Sequence, residues 1–259
     1  MGLFGKMFEK KICAICGGEI GMLGNRKLED GNMCKKCAAK LSPWFSDRRR
    51  STVDSIKEQL SYREANKDEV AKFNVTRTYG DSTKVYLDED NRKFMVTSSN
   101  PRKFAEDNPD VLDYSMVTGV DIDIEESSSE DMREDSDGNS ESYNPPRYFY
   151  SYDFNIIIRV NNPYFDEMKF RLNSSDVDIT PNGGVPANMK PYPESNQDYS
   201  EYKRMAEEIK QALTSARQQV RDEAAAAKVP KQAVVCQCCG ASTIPDANGR
   251  CEFCGGAAV

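Results

Sequence analysis

The chain has 259 residues, a net charge of −7 and no histidine, with 38% hydrophobic and 30% charged residues. Without imidazole, Ser-His-Asp and Cys-His catalysis and His-based zinc hydrolysis are excluded. No apolar run reaches the length of a membrane span, and the first eleven residues lack the apolar core of a secretory signal. We therefore expect a cytoplasmic protein, in which paired cysteines bind metal more often than they form disulfides.

Eight of the nine cysteines form two sets of C-x-x-C pairs. Seventeen residues separate the first two pairs and eleven separate the last two, spacings that let a folded-back hairpin assemble four sulfur ligands. Four cysteines complete a tetrahedral zinc site and leave no open position for a reactant, which argues against an enzyme with a small-molecule substrate. We predict two structural Zn²⁺ ions with these ligands: Cys13, Cys16, Cys34, Cys37, Cys236, Cys239, Cys251 and Cys254.

The first zinc module is expected at residues 1–45. Gly17-Gly18 after Cys16 permits the turn that points backbone N–H groups at the cysteine sulfurs. The pattern then predicts a hairpin of strands 20–23 and 26–28, a second turn at Asp30-Gly31, and a helix carrying the last ligands. A knuckle, a hairpin and a helix form a treble-clef-like zinc finger.

A longer motif surrounds these ligands over about residues 12–45: C-x-I-C-G-G-x-I-G-x-L-G-x-R-K-L-x-D-G-x-x-C-K-x-C-x-x-K-L-S. It resembles an uncharacterised bacterial zinc-binding family, classed as a domain of unknown function. The resemblance implies zinc at Cys13, Cys16, Cys34 and Cys37, and it implies no activity.

The middle of the chain is expected to be α+β. Apolar residues at helical spacing predict a helical connector at 46–73, and short β-branched and aromatic segments predict an antiparallel β domain at 74–227. The acidic segment 125–144 carries too few apolar side chains to offset the entropy of ordering, so it is predicted to be a disordered loop. A continuous apolar stripe at spacings of three and four predicts an amphipathic helix over 198–227; its members are Tyr202, Ala206, Ile209, Leu213, Ala216 and Val220.

Strands followed by one amphipathic helix, over roughly residues 74–220, resemble the pleckstrin-homology-like domains of bacteria. The resemblance implies a small barrel or sandwich that serves as a binding platform for peptides, lipid headgroups or oligomer partners.

The last module, residues 228–259, has a glycine after each of two C-x-x-C pairs, which predicts two knuckles and a zinc ribbon. Cys238 stands between Cys236 and Cys239 and has no place in a four-ligand site. It is predicted to be an exposed free thiol.

These features favour a non-enzymatic adaptor that binds other proteins. Residues 1–50 carry eleven basic against five acidic residues, however, so nucleic-acid binding through the basic N-terminal finger, including 48–50, is an alternative. A second alternative is peripheral membrane association through residues 2–11, where Leu3 and Phe4 stand near three lysines.

Overall fold

The computed structural model describes residues 11–228, 233–246 and 249–257. The chain divides into two compact units, the first ending at Arg217 and the second beginning at Gln218. Within the described ranges, no helix is long and apolar enough to cross a membrane. Apart from Lys11, the segment 2–11 considered as an alternative membrane contact lies outside the described residues.

The N-terminal module contains two small hairpins and one helical turn. Strand β1 (Lys11–Ile12) pairs with β2 (Glu19–Ile20), and β3 (Asn25–Lys27) pairs with β4 (Asn32–Cys34). Helix α1 (Lys35–Ala38) follows β4 directly. The predicted order of knuckle, hairpin and helix is therefore present.

The strand pairing inside this module differs from the prediction. Residues 20–23 do not pair with 26–28, because Ile20 pairs back with Lys11 and is buried. A hydrogen bond from Gly24 N–H to Gly21 O, 2.9 Å, closes a tight turn that removes Met22 and Leu23 from any ladder. The second predicted turn, at Asp30-Gly31, does connect β3 to β4.

Helix α2 (Val53–Lys72) fills most of the predicted connector and has core contacts at both ends. Thr52 caps its first turn by accepting a hydrogen bond from Ser55 N–H at 3.2 Å. Ile56, near the start, packs into the core of the N-terminal module. Val70, near the end, packs into a cluster with residues of the first large sheet. The helix thus joins the two parts of the first unit.

The first large sheet is a four-stranded antiparallel meander. A short helix, α3 (Phe104–Asp107), precedes the last of its strands. In order they are β5 (Arg77–Gly80), β6 (Lys84–Asp88), β7 (Lys93–Thr97) and β8 (Val111–Asp113). One face packs on α2 through Tyr86, Met95 and Val111.

The second large sheet has five strands around the central strand β10. The members are β9 (Val117–Glu134), β10 (Ser140–Val160), β11 (Glu167–Arg171), β12 (Val177–Asp178) and β13 (Val185–Pro186). All four partners run antiparallel to β10. The α+β class is confirmed, but no sheet closes into a barrel in the part of the chain that the structure describes.

The predicted disordered loop at 125–144 is wrong. Most of this segment extends β9 and β10 into a long hairpin. Its ladder runs from Ile124 opposite Phe154 to Glu134 opposite Ser140, with a register shift between Ser142 and Arg147. Asp135 closes the turn by accepting hydrogen bonds from the backbone N–H groups of Asp137 and Asn139. A ladder that begins in the buried part of the sheet can continue on backbone hydrogen bonds, without apolar side chains of its own.

Helix α4 (Gln197–Lys228) agrees with the predicted amphipathic helix to within one residue at each end. Ala206, Ile209 and Leu213 of the predicted stripe are fully buried. Tyr199, which lies outside that stripe, is buried and packs edge-on against Phe154, with ring centroids 5.1 Å apart. Because Met205 Sδ also accepts a hydrogen bond from Gly80 N–H, the helix contacts both sheets.

Beyond the end of α4, the described residues of the second unit form a small hairpin of β14 (Val234–Val235) with β15 (Ser242–Thr243), and an isolated bridge between Arg250 and Ala257. Cys236 and Cys251 form its buried centre together with the partly buried Val234. So small a cluster cannot stabilise a fold by burial alone. The unit therefore needs an additional link between its cysteines, such as a bound metal ion.

Candidate metal centres

The four cysteines of the N-terminal module meet at one point. Each offers a sulfur, and all four sulfurs lie within 4.8 Å of one another. Cys13 and Cys37 are buried, whereas Cys16 is exposed. The first pair comes from the turn between β1 and β2, and the second from the junction of β4 and α1.

The first pair lies on a knuckle closed by two backbone hydrogen bonds. Gly17 N–H donates to Cys13 O at 2.8 Å, and Cys13 N–H donates to Gly18 O at 2.9 Å. Gly17 adopts φ +72°, a left-handed conformation that side-chain-bearing residues rarely take. The glycine therefore permits the turn that aims both sulfurs inward.

The second pair uses a helix start in place of a knuckle. Cys34 is the N-cap of α1, and its sulfur accepts a hydrogen bond from Cys37 N–H at 3.4 Å. Cys34 N–H in turn donates to Cys13 Sγ at 3.3 Å, which ties the two pairs together. Backbone N–H groups pointing at sulfur stabilise thiolates, the form that binds metal.

The same backbone donors favour the thiolate form of Cys13, whereas the surroundings of Cys37 do not favour its thiolate. Burial raises the pKa of Cys13, but donation from the backbone N–H groups of Cys16, Cys34 and Ile15 outweighs it and lowers the pKa to about 6. For Cys37, burial and the neighbouring cysteine sulfurs both raise the pKa. Four thiolates this close together require a cation to offset their mutual repulsion.

The spacing of the sulfurs fits a metal ion. Four sulfurs arranged tetrahedrally about 2.3 Å from a zinc ion would be separated by about 3.8 Å. Cys16 Sγ and Cys34 Sγ are 3.8 Å apart. In the C-terminal group, Cys239 Sγ and Cys251 Sγ are also 3.8 Å apart. Each group can therefore hold one metal ion.

The C-terminal group is assembled from two knuckles of the same design. Gly240 N–H donates to Cys236 O at 2.7 Å, and Gly255 N–H donates to Cys251 O at 2.8 Å. Both glycines have positive φ, as Gly17 does. Donation from the backbone N–H groups of Cys239 and Cys238 lowers the pKa of Cys236 to about 6. Both cysteine pairs of the C-terminal group thus lie on glycine-containing turns, whereas the N-terminal group combines one such turn with the start of a helix.

Cys238 lies outside both groups of four and is exposed. Replacing it with serine is expected to leave the metal content of the purified protein unchanged, because no sulfur ligand is lost. Elemental analysis of the Cys238→Ser protein beside wild type measures this directly. Loss of one ion per chain would show that Cys238 displaces one of its neighbours as a ligand.

Gly31 determines how closely the N-terminal module approaches α2. It lies in the turn between β3 and β4, where an added Cβ would be 2.7 Å from Val53 Cγ2. Nearby, Val53 N–H donates to Asp30 Oδ1 at 2.8 Å. The Asp30-Gly31 turn therefore has two roles. It joins β3 to β4, and it contacts Val53, the first residue of α2.

A buried polar network that the sequence did not indicate lies behind the N-terminal module. Arg63 of α2 forms an ion pair with Asp110, 2.6 Å between Nη1 and Oδ1, and its Nε donates to Lys40 O. Ser42 donates to the other oxygen of Asp110 at 2.8 Å. These residues are far apart in the chain and carry no motif, so only the fold brings them together.

Comparison with known protein families gives a match over the first part of the chain. The family described as "Domain of unknown function (DUF4428)" matches residues 11–59, a segment containing the N-terminal cysteine group and the first part of α2. The predicted resemblance to an uncharacterised cysteine-rich family is confirmed for this segment. No curated protein and no solved structure matches the chain.

Proposed function

We propose that the protein is a non-enzymatic adaptor that uses two zinc ions for structure and binds other proteins. All-cysteine groups at tetrahedral spacing favour zinc, an ion without redox chemistry of its own. Once four thiolates hold it, the ion has no position for a substrate. Its contribution is then to stabilise modules too small to fold by burial alone.

We further propose that the two large sheets with α4 are a pleckstrin-homology-like binding platform. The support is the order of elements: a four-stranded meander, a second antiparallel sheet, and a helix that contacts both. This order agrees with the resemblance seen in the sequence. Fold-level likeness of this kind indicates a scaffold for binding and does not identify a ligand.

The observation that carries the adaptor proposal is the outer part of the β9–β10 hairpin, residues 127–149, here called the arm. None of its residues is buried. Arg147 lies over the ring of Tyr143 at 4.6 Å, and Gly184 N–H donates to Asp131 Oδ2 at 3.0 Å. These contacts order a surface that adds nothing to the core, and an ordered, tyrosine-bearing surface is suited to a protein interface.

The charge of the arm indicates the kind of protein surface that it would contact. Basic residues in the arm are limited to Arg133 and Arg147. Six acidic residues accompany them: Glu130, Asp131, Glu134, Asp135, Asp137 and Glu141. Electrostatic complementarity therefore favours a partner with a basic surface.

Shortening the arm tests this function. Met132 and Ser142 are paired in register, so residues 133–141 can be replaced by a two-residue Asn-Gly turn that keeps the rest of the ladder. We expect the metal-loaded full-length protein to recover partner proteins from native lysate. Recovery should fall about tenfold or more with the short arm, as when the anchoring residues of an interface are lost.

A variant of another exposed surface, Arg102→Ala/Lys103→Ala, serves as the matched control and should recover partners normally. Equal recovery by the wild type and the shortened protein would refute a role for the arm. If the isolated protein instead turned over a substrate, and did so in proportion to its metal content, the adaptor proposal itself would fail.

A further inference from the structure

The tip of the N-terminal module presents two apolar side chains to solvent. Met22 is 95% exposed and Leu23 is 92% exposed. No other large apolar side chain in the described part of the chain exceeds the 72% of Tyr192. Because Gly21 and Gly24 close the turn by a backbone hydrogen bond, the two side chains are held outward in a defined place.

A basic hollow lies directly beside this tip. Seven residues line it: Asn25, Arg26, Lys27, Leu28, Glu29, Arg48 and Arg49. Four of them are basic and one, Glu29, is acidic. Arg26 connects the hollow to the tip, since its Nη1 donates to Leu23 O at 3.3 Å and to Asn25 O at 3.1 Å.

The basic groups of the hollow are held close together by the fold. Arg48 donates to Lys27 O, which attaches the 48–50 turn to strand β3. Partial burial lowers the pKa of Arg48, and the neighbouring charges of Arg49 and Arg26 lower it further. Arg50 is directed elsewhere, into an ion pair with Asp47. An anion bound in the hollow would offset the repulsion among the remaining guanidinium groups.

We propose that this tip and hollow form a membrane-contact site, in which Met22 and Leu23 enter the interfacial layer of an anionic bilayer and the arginines bind lipid phosphates. Reversible membrane binding commonly combines two features, a small apolar insertion and a basic patch, and this site has both. The site is distinct from residues 2–11 and does not depend on the adaptor function.

The chemistry of the site favours a lipid surface over the other polyanions. A nucleic-acid backbone would use the basic hollow but would leave Met22 and Leu23 in water. A protein partner would need a pocket shaped to two fully projecting side chains. A bilayer accepts both side chains without shape complementarity, and its anionic headgroups supply phosphate for the basic residues next to the tip.

Vesicle flotation with the metal-loaded full-length protein tests the proposal. The probes are phosphatidylcholine vesicles with and without phosphatidylserine. We expect binding only to the vesicles with phosphatidylserine, and weaker binding as salt is raised. Met22→Ser/Leu23→Ser should weaken binding about tenfold or more. Arg48→Ala and Arg49→Ala should each weaken it about fivefold.

Two matched controls change similar residues elsewhere on the surface. Met189→Ser/Tyr192→Ser removes exposed apolar groups, and Arg102→Ala/Lys103→Ala removes exposed charges; both should bind as wild type does. Since Met22 and Leu23 are almost fully exposed, their variant should keep its metal content and fold.

Several outcomes would overturn the proposal. One is the absence of binding to anionic vesicles, and another is equal binding by the tip variant and wild type. Loss of binding in Leu3→Ser/Phe4→Ser, with the tip variant unaffected, would place the membrane contact at residues 2–11. If the arginine variants lost affinity for RNA or DNA while vesicle binding was absent, the hollow would be a nucleic-acid site.

Discussion

Replacing Cys13 with serine is expected to release one metal ion per chain and to unfold residues 11–45. Cys13 is buried, and its sulfur also accepts a hydrogen bond from Cys34 N–H. The apolar cluster around it is small, with Ile20, Leu28 and Met33 at its centre. Because structural zinc contributes about 10–16 kcal/mol of apparent binding free energy in peptides of this size, the cluster alone cannot replace it.

Metal analysis, the emission of Trp44 and limited proteolysis measure this effect. Trp44 is the only tryptophan in the chain, and its backbone N–H donates to Ser42 Oγ at 3.1 Å. We expect new cleavage within residues 11–45 and a shift in Trp44 emission. Ile56 packs on the same cluster, so the start of α2 should lose protection as well.

Two further cysteine variants give the controls. Cys238→Ser makes the same chemical change outside both groups and should alter nothing. Cys251→Ser should release the other ion while leaving Trp44 emission unchanged, because Cys251 belongs to the second unit and Trp44 to the first. A Cys13→Ser protein that kept both ions and the wild-type emission would contradict the role assigned to the N-terminal group.

Breaking the Arg63–Asp110 ion pair by a single substitution is expected to destabilise the first unit by about 3–5 kcal/mol. The two side chains are 7% and 0% exposed, so either partner left alone is a buried, unpaired charge. Arg63→Met and Asp110→Asn should each show the loss in urea unfolding followed by Trp44 emission. The double variant should be less destabilised than the sum of the two, since it leaves neither charge unpaired.

The Arg63→Met variant should also show a stronger pH dependence of stability than the wild type. Burial raises the pKa of Asp110, while Arg63 and hydrogen bonds lower it. Without Arg63 the folded-state pKa should rise further above the unfolded value of about 3.9. A carboxyl of raised pKa makes the folded protein bind a proton more tightly, so stability is greatest at low pH and falls as pH rises through the folded pKa.

Asp110→Asn in the same background should abolish that slope. An exposed pair, Arg77 with Glu89, provides the matched control, because both side chains are about half exposed. Its double-mutant cycle should give a coupling of about 0–1 kcal/mol. A coupling equally small at Arg63 and Asp110 would show that the buried pair does not join α2 to the segment that leads into β8.

The sequence by itself determined the features that depend on local spacing. The eight cysteines that meet in two groups, the knuckle glycines and the long helix α4 all follow from residues close together in the chain. A C-x-x-C pair must form one of a few tight turns if both sulfurs are to bind the same metal ion. An apolar stripe at helical spacing is buried when the segment forms a helix with that face against the core. These predictions needed no knowledge of the rest of the fold.

Only the tertiary structure decided the features that depend on distant partners. Residues 127–134 read as a solvated acidic loop, yet they become strand because β10 offers them backbone partners on both sides of a register shift between Ser142 and Arg147. Asp110 finds Arg63 and Ser42 across tens of residues, and Ile20 pairs with Lys11 in place of the nearer 26–28. Backbone pairing and buried charge pairing leave no local pattern, because their free energy exists only once the chain has brought the partners together.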